Sequence, residues 1–356
     1  MSKVQKYTSR LSGLYNQYGY LPYKMGKFEE YELYIRNKDF LVSDRIISFN
    51  DTNGRLMALK PDVTLSIIKN GEDVPGVKQK VYYNENVYRV SESTHRFKEI
   101  MQTGLECIGD IDLYDIYETL SLAAESLSGL AGDFCIEISN LDLVRRAITS
   151  VCTEADFVSK VITCIAEKNA HDLRGICESY GVDAAGQAQI TGLISIYGER
   201  KQVVPRLLEL FDCPEVHQLE QLSRMLENSP FSDKIRFDFS VVNDMSYYNG
   251  FVFRGFVEGV CCGVLAGGQY DNMMKKMHRT SGAIGFAIYL DRIEELYHES
   301  EKTDVDYLLL YEDATDMNTV ARTVQKLIRE GNSVSAQKSI PEKLRYKTLM
   351  DLRKEG

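Results

Sequence analysis

The chain has 356 residues, of which 44 % are hydrophobic and 26 % charged, with 25 Gly and 7 Pro. That is the composition of a folded, soluble protein of two or three domains, and it excludes collagen-like, mucin-like and wholly disordered chains. The 52 acidic residues outnumber the 42 basic ones and leave a net charge of −10, so nucleic acid is not an expected partner.

The opening segment carries Val4, Tyr7, Leu11, Leu14 and Tyr15 at helical spacing, with Gly19 as a stop signal, and so predicts a first helix of about four turns. It has no apolar core of the signal-peptide kind, and no run in the chain approaches the ~20 apolar residues of a membrane helix. The expectation is an unprocessed cytoplasmic chain with no membrane association.

Residues 31–68 switch to short apolar runs around polar turns, ELYIR, RIISFND and RLMALKPDVTLSII. Asn53-Gly54 is a hairpin dipeptide between two strand-like stretches. KVYYNENVYRV and EIMQTGLECIG read as further strands, joined by the polar segment SESTHRFKE, whose His95, Arg96 and Lys98 make it a basic, exposed loop. A helix is predicted over 113–130 and a strand over 134–138, after which the strand signal vanishes from about 141 to 228. Six amphipathic segments in that block predict a helical insertion. Strands return with alternating Ile235, Phe237, Phe239 and Val241, then a glycine-broken hairpin YYNGFVFRGFVEGVCCGVLAGGQYD, and SGAIGFAIYLDRIEEL predicts a buried strand leading to a helix. After the charged stretch ESEKTDVD, the pattern predicts a small βαβα tail: DYLLLYE, a helix with Met317, Val320, Val324, Leu327 and Ile328, the strand NSVSAQ, and a last helix reaching Leu352. Antiparallel strands with segregated helices argue for an α+β main domain plus a separate C-terminal piece.

The eight cysteines form no CxxC and the five histidines no HxxxH or HExxH, so no metal or other cofactor is expected. GxGxxG, GxxxxGKS and GxSxG are also absent. What remains is a set of polar residues embedded at strand ends, where an apolar flank makes them costly unless paired. These are Asp62 and Thr64 in LKPDVTL, Arg89 in VYRV, Gln102 and Glu106 in MQTGLECIG, Tyr247 and Tyr248 in SYYNG, and Tyr270 in GGQYD. On strands, Gln102 shares a face with Glu106 and Asp62 with Thr64. Two such pairs could wall a pocket for a small zwitterion, or lie on a solvated sheet face.

In their order, these segments resemble the histidyl-tRNA synthetase family of class II synthetase folds, from the first helix to about residue 300. YGYLPYKMGKFEEYELY resembles the first class II motif, LMALKPDVTLSII the family's LRPEGT segment, and NVYRVSESTHRFKEIMQTGLECIG the second motif with its loop. NDMSYYNGFVF is similar to RGLDYYNGTVFE, and GGQYDNMM followed by GAIGFAIYLDRIEEL resembles GGRYDGL with the third motif. The resemblance implies a class II antiparallel sheet with flanking helices. It implies a core over 1–300 with the helical insertion, and a partial anticodon-binding-like α/β tail over 304–356.

Departures from the motifs carry the functional expectation. Asn243 stands where active members have the RGLDYY arginine, Ser91 replaces the FRxE acid, and Lys98 replaces an arginine of the second-motif loop. Arg89, Arg96 and Arg292 are kept, but Tyr289 takes the place of a small glycine. Losing a cation that offsets phosphate charge typically costs several kcal/mol of transition-state stabilisation, so no catalytic residues are assigned. By the same resemblance a histidine pocket is retained: Asp62, Thr64, Arg89, Gln102, Glu106, Tyr247, Tyr248 and Tyr270. This combination is similar to the paralogues that serve as regulatory subunits of short-form ATP phosphoribosyltransferase in histidine biosynthesis. It implies three partners: the short catalytic subunit, a second copy of the chain in a dimer, and histidine as effector. A divergent active synthetase and an RNA-binding pseudo-synthetase are the alternatives. Gly26 replaces the first-motif proline of the dimer interface, and the tail resembles only the first half of an anticodon-binding-type domain.

Overall fold

Tyr7, Leu11, Leu14 and Tyr15 form the buried stripe of helix α1 (Lys3–Gln17), and Gly19, at φ +82°, turns the chain after it. The computed structural model describes residues 3–38, 46–71, 74, 76–91, 94–130, 132–242, 247–293 and 303–353. The chain separates into two compact units, Met1–Leu296 and Tyr297–Gly356.

The first unit continues with β1 (Leu21–Pro22), β2 (Phe28–Glu30), α2 (Tyr31–Arg36), β3 (Ser48–Asn50), β4 (Leu56–Leu59) and α3 (Thr64–Asn70). Strands β2, β4 and β3 make a small antiparallel sheet. Its hairpin turns at Asn53-Gly54, where Gly54 takes φ +79° and Asp51 Oδ1 accepts from the amides of Asn53 and Arg55 at 2.8 Å each. The long strands β5 (Gln79–Val90) and β6 (Phe97–Gly109) pair antiparallel over their whole length, from Gln79 opposite Ile108 to Val90 opposite Phe97. Helix α4 (Leu113–Ser128) starts at an Asp112/Asp115 capping box, and β7 (Phe134–Asn140) follows. Tyr7 donates to the Ser126 carbonyl at 3.0 Å and the Tyr15 hydroxyl pairs with Ser126 Oγ at 2.9 Å, tying α1 to α4.

Side-chain caps and buried apolar faces then build α5 (Leu141–Thr149), α6 (Ala155–Ala166), α7 (Ala170–Ser179) and α8 (Ala184–Ser195). Asn140, Asn169 and Asp183 each accept an amide hydrogen bond at a helix start. The expectation of an unbroken helical block is corrected by β8 (Tyr197–Glu199), which pairs antiparallel inside this region before α9 (Arg200–Leu210) and α10 (Pro214–Met225). Three residues are too few to register a period of two, and Gly198, at φ +118°, marks a conformation that glycine favours.

The chain re-enters the main sheet with β9 (Ile235–Asp238), β10 (Asn249–Val257), β11 (Leu265–Gln269), α11 (Asp271–Lys276), β12 (Gly282–Tyr289) and α12 (Leu290–Ile293). The nine strands lie in the order β1-β5-β6-β12-β11-β10-β7-β9-β8. All neighbours are antiparallel except β1 with β5 and β7 with β9. This is an α+β fold, as the sequence leads one to expect. The second unit holds β13 (Val305–Leu310), α13 (Met317–Arg329), β14 (Val334–Gln337) and β15 (Tyr346–Asp351). Here the expected last helix is corrected to a strand. Tyr346–Asp351 pairs parallel with β13, and that edge pairing, with Tyr346 and Thr348 as good strand formers, makes the segment a strand. No helix among the described residues is long and apolar enough to cross a membrane.

One correction bears on the site. Asp62 and Thr64, expected on a strand, instead sit at the start of α3, where Asp62 Oδ1 accepts from the Leu65 amide at 2.9 Å. An aspartate just ahead of a run of free amides is an N-terminal signal that the β-branched, apolar sequence VTLSII masks.

Candidate functional site

Strand β6 supplies the floor of a cavity of about 400 Å³. Gln102 and Glu106, four positions apart on the strand, both face it, and both are almost fully buried, at 4 % and 2 % exposure. Beside them on β12, Gly285 pairs with Glu106. A Cβ at Gly285 would lie 1.8 Å from Glu106 Oε2 and 2.4 Å from the Leu105 carbonyl, so only glycine lets the carboxylate lie across the neighbouring strand.

Three further elements converge on Glu106. Thr64, the first residue of α3, donates from Oγ1 to Glu106 Oε1 at 2.8 Å, and Tyr270, just after β11, donates to Oε2 at 2.6 Å. From β5, Tyr83 and Arg89 face the same space, and Arg89 Nε donates to the Pro61 carbonyl at 3.0 Å, holding the turn that carries Asp62. Tyr247 and Tyr248, ahead of β10, meet edge to face with ring centroids 4.6 Å apart, and Tyr247 lies 6.2 Å from Tyr270. These rings make an aromatic wall over the acidic floor.

The other end of the cavity is basic. Arg254 and Phe256 on β10, Cys262 and Gly263 in the β10–β11 connection, Tyr289 at the end of β12 and Arg292 on α12 line it. The Arg292 guanidinium stacks 4.3 Å from the centre of the Tyr289 ring, and its Nη1 donates to the Gly263 carbonyl.

Burial pushes the Glu106 carboxyl up to about 8, although the hydrogen bonds from Tyr270 and Thr64 pull the other way and nearby Asp62 adds repulsion. Asp62 is raised as well, chiefly by burial, with the Leu65 amide and Arg89 opposing. Burial raises Tyr83, Tyr247 and Tyr270 far above the phenol range, so these side chains are neutral hydroxyls at physiological pH. The Gln102 side chain, buried on the same strand, also lines the cavity. The floor therefore offers acceptors and an amide to a cationic or N–H-bearing group, beneath flat rings that suit a planar one.

All eight residues singled out from the sequence, Asp62, Thr64, Arg89, Gln102, Glu106, Tyr247, Tyr248 and Tyr270, line this one cavity. Ser91, Arg96 and Lys98 are not among its lining residues, and Asn243 lies outside the described residues. Sequence reasoning missed Tyr83, Arg254, Phe256 and Cys262. Arg254 carries a signal, a charge on an otherwise apolar strand whose face it shares with Val252 and Phe256; Tyr83 looks like any core tyrosine.

Residues 1–293 match the sequence pattern of the family described as Histidyl-tRNA synthetase. The ATP phosphoribosyltransferase regulatory subunit of Oceanobacillus iheyensis is 24 % identical over 305 residues, spanning 83 % of this chain and 75 % of that protein. The protein of the same name from Geobacillus sp. (strain WCH70) is 28 % identical over 299 residues, 81 % of this chain and 75 % of its own. In fold, the chain is similar to an ATP phosphoribosyltransferase regulatory subunit/histidyl-tRNA synthetase from Bacillus halodurans C, with a TM-score of 0.81 at 20 % identity over 99 % of this chain and 96 % of that one. A chain of the ATP phosphoribosyl transferase (HisG:HisZ) complex from Thermotoga maritima matches with a TM-score of 0.64 at 21 % identity, covering 80 % of this chain and 96 % of that one.

Proposed function

The chain belongs to the histidyl-tRNA synthetase family, and from that premise we propose that it is a non-catalytic subunit that binds and regulates a short-form ATP phosphoribosyltransferase, with histidine as its effector. The names of its relatives support the regulatory role, and the Thermotoga maritima complex supports a catalytic partner. One observation carries the reading. The acidic, aromatic-walled end of the cavity presents the Gln102 side chain and a Glu106 held by hydroxyls, whereas the Arg292 of the basic end is stacked on Tyr289 and tied to Gly263. The first end suits an imidazole and an ammonium group. At the second, Arg292 is engaged by protein, which disfavours the nucleotide chemistry of a synthetase and accords with Asn243 in place of the motif arginine.

In this reading Asp62 and Thr64 face the ammonium group, Gln102 and Glu106 the imidazole, Tyr247, Tyr248 and Tyr270 its ring faces, and Arg89 fixes the Asp62 turn. Regulation follows if histidine prefers one state of the complex over another, and a coupling of ~1–3 kcal/mol suffices. The subunit acts as a dimer, and residues 304–353 form a partial anticodon-binding-like tail.

The test is co-expression with a short catalytic subunit. The expected outcome is a stable complex, an increase in phosphoribosyl transfer on complex formation, and inhibition by histidine that Glu106→Gln weakens at least tenfold. Robust histidine-dependent ATP–pyrophosphate exchange by the isolated chain would overturn the proposal in favour of a synthetase.

A further inference from the structure

Three of the side chains that line the cavity owe their place to a glycine on a neighbouring strand. The Glu106 carboxylate lies across Gly285 of β12, and the Tyr248 ring lies over Gly268 of β11, where a Cβ would come within 2.9 Å of its Cδ1. The third is Tyr83. It stands opposite Gly104 in the β5–β6 ladder, and a Cβ on Gly104 would lie 2.6 Å from the Tyr83 hydroxyl, 2.8 Å from its ring carbon Cζ and 2.2 Å from the Phe286 carbonyl of β12. A larger residue would meet main chain on one side and the phenol on the other, so only glycine leaves a slot across β6 for this ring.

The slot fixes what the phenol reaches. Along β6 the cavity face reads Gln102, Gly104, Glu106, each two positions from the next. The Tyr83 hydroxyl therefore fills the space that Gly104 leaves between two polar side chains, and the residue is 2 % exposed. Same-face positions two apart on a strand stand about 7 Å from each other. That is roughly the span of a small five-membered ring with a hydrogen bond of about 2.9 Å at either side. The hydroxyls of Thr64 and Tyr270 already donate to Glu106, whereas a phenol at the Gly104 slot faces the opposite edge of such a ring. Burial keeps it a neutral hydroxyl, able both to donate and to accept.

We propose that Tyr83 is a specificity-determining residue of the histidine pocket, its hydroxyl bonding one ring nitrogen of the imidazole while Glu106 bonds the other. The pocket then selects a five-membered ring with two nitrogens open to hydrogen bonding. This rests on histidine being the effector. A methyl group on either nitrogen would take the place of a hydrogen bond and leave a buried polar group without its partner, a mismatch that a binding site rejects strongly. Because the phenol backs onto β6, it has no room to retreat from the methyl group.

The experiment is calorimetry of the full-length wild type and Tyr83→Phe with histidine, 1-methylhistidine and 3-methylhistidine. Wild type is expected to bind histidine at least tenfold more tightly than either methyl isomer. Tyr83→Phe keeps the ring in its slot, so its urea midpoint should match that of wild type. It should bind histidine roughly tenfold more weakly and lose its discrimination against one methyl isomer only, the one whose methyl group displaces the Tyr83 bond. Discrimination against the other isomer, set by Glu106, should persist. A loss of affinity in Tyr83→Phe that is equal for all three compounds would mark Tyr83 as packing alone and overturn the proposal. So would equal affinity of wild type for histidine and its methyl isomers, or discrimination against both isomers left intact in Tyr83→Phe. In each of these cases histidine still binds and the functional reading stands; a wild type that binds no histidine overturns that reading and this proposal together.

Discussion

A buried carboxyl group resists ionisation even where two hydroxyls donate to it, and burial accordingly pushes Glu106 from its ordinary 4.5 up to about 8. Between those two values the native state holds a proton that the unfolded chain has lost. Stability is fully present at low pH and declines as pH rises toward about 8, where the native carboxyl also ionises. Urea midpoints at pH 5 and pH 8 should show the decline in the wild type and a much flatter profile in Glu106→Gln; Asp62, raised by burial in the same direction, leaves a residual slope. If both proteins lose stability in parallel, the buried proton is not on Glu106. A cationic ligand must displace that proton, so calorimetry at neutral pH in buffers of different ionisation enthalpy should reveal proton release on histidine binding, absent in the glutamine variant. Gln102 and Glu106 were legible in the sequence because strand periodicity puts positions four apart on one face. Tyr83 was not, since nothing local separates a cavity tyrosine from a core tyrosine.

The turn ahead of α3 owes its place to β5. The Tyr88 amide donates to the Lys60 carbonyl at 2.9 Å, Arg89 holds the Pro61 carbonyl, and the Lys60 ammonium, in a side chain only 1 % exposed, pairs with Glu85, which is 18 % exposed. These ties set where Asp62 and Thr64 enter the cavity. Removing one member of such a pair strands the other charge. Glu85→Gln should therefore cost about 3 kcal/mol in urea denaturation and weaken histidine binding by misplacing the turn, and the double replacement Lys60→Met with Glu85→Leu should recover most of the stability. A single replacement within experimental error of wild type would show that the buried ammonium has another partner. Elements with long periodic runs, α1, α4, β5, β6 and the helices after residue 141, were readable in advance. The failures have two causes: at the α3 start the local signal of Asp62 is masked by the β-branched, apolar residues around it, whereas β8 and β15 are set by pairing partners that a short window of sequence does not contain.

At the scale of the whole chain, the net charge of −10 opposes a polyanion wherever basic residues are not gathered into a broad surface, and the cations lining the cavity face inward. Fluorescence anisotropy with labelled tRNA at about 150 mM salt should give no saturable binding; a salt-dependent isotherm would restore a nucleic-acid role. The two units have separate cores, the second built on Leu309, Val320 and Leu352.

The nine-stranded sheet ends on both sides in its shortest strands. Its outermost members are β1, two residues long and containing Pro22, and β8, three residues long with Gly198 at its centre. Proline has no amide hydrogen to offer, and two or three residues give too little ladder for another strand to zip onto. Growth of the sheet across a molecular boundary is thereby discouraged at both margins. A protein that must assemble with other chains without polymerising gains from this, because its contacts then depend on side-chain surfaces that can discriminate among neighbours, not on backbone that would accept any of them.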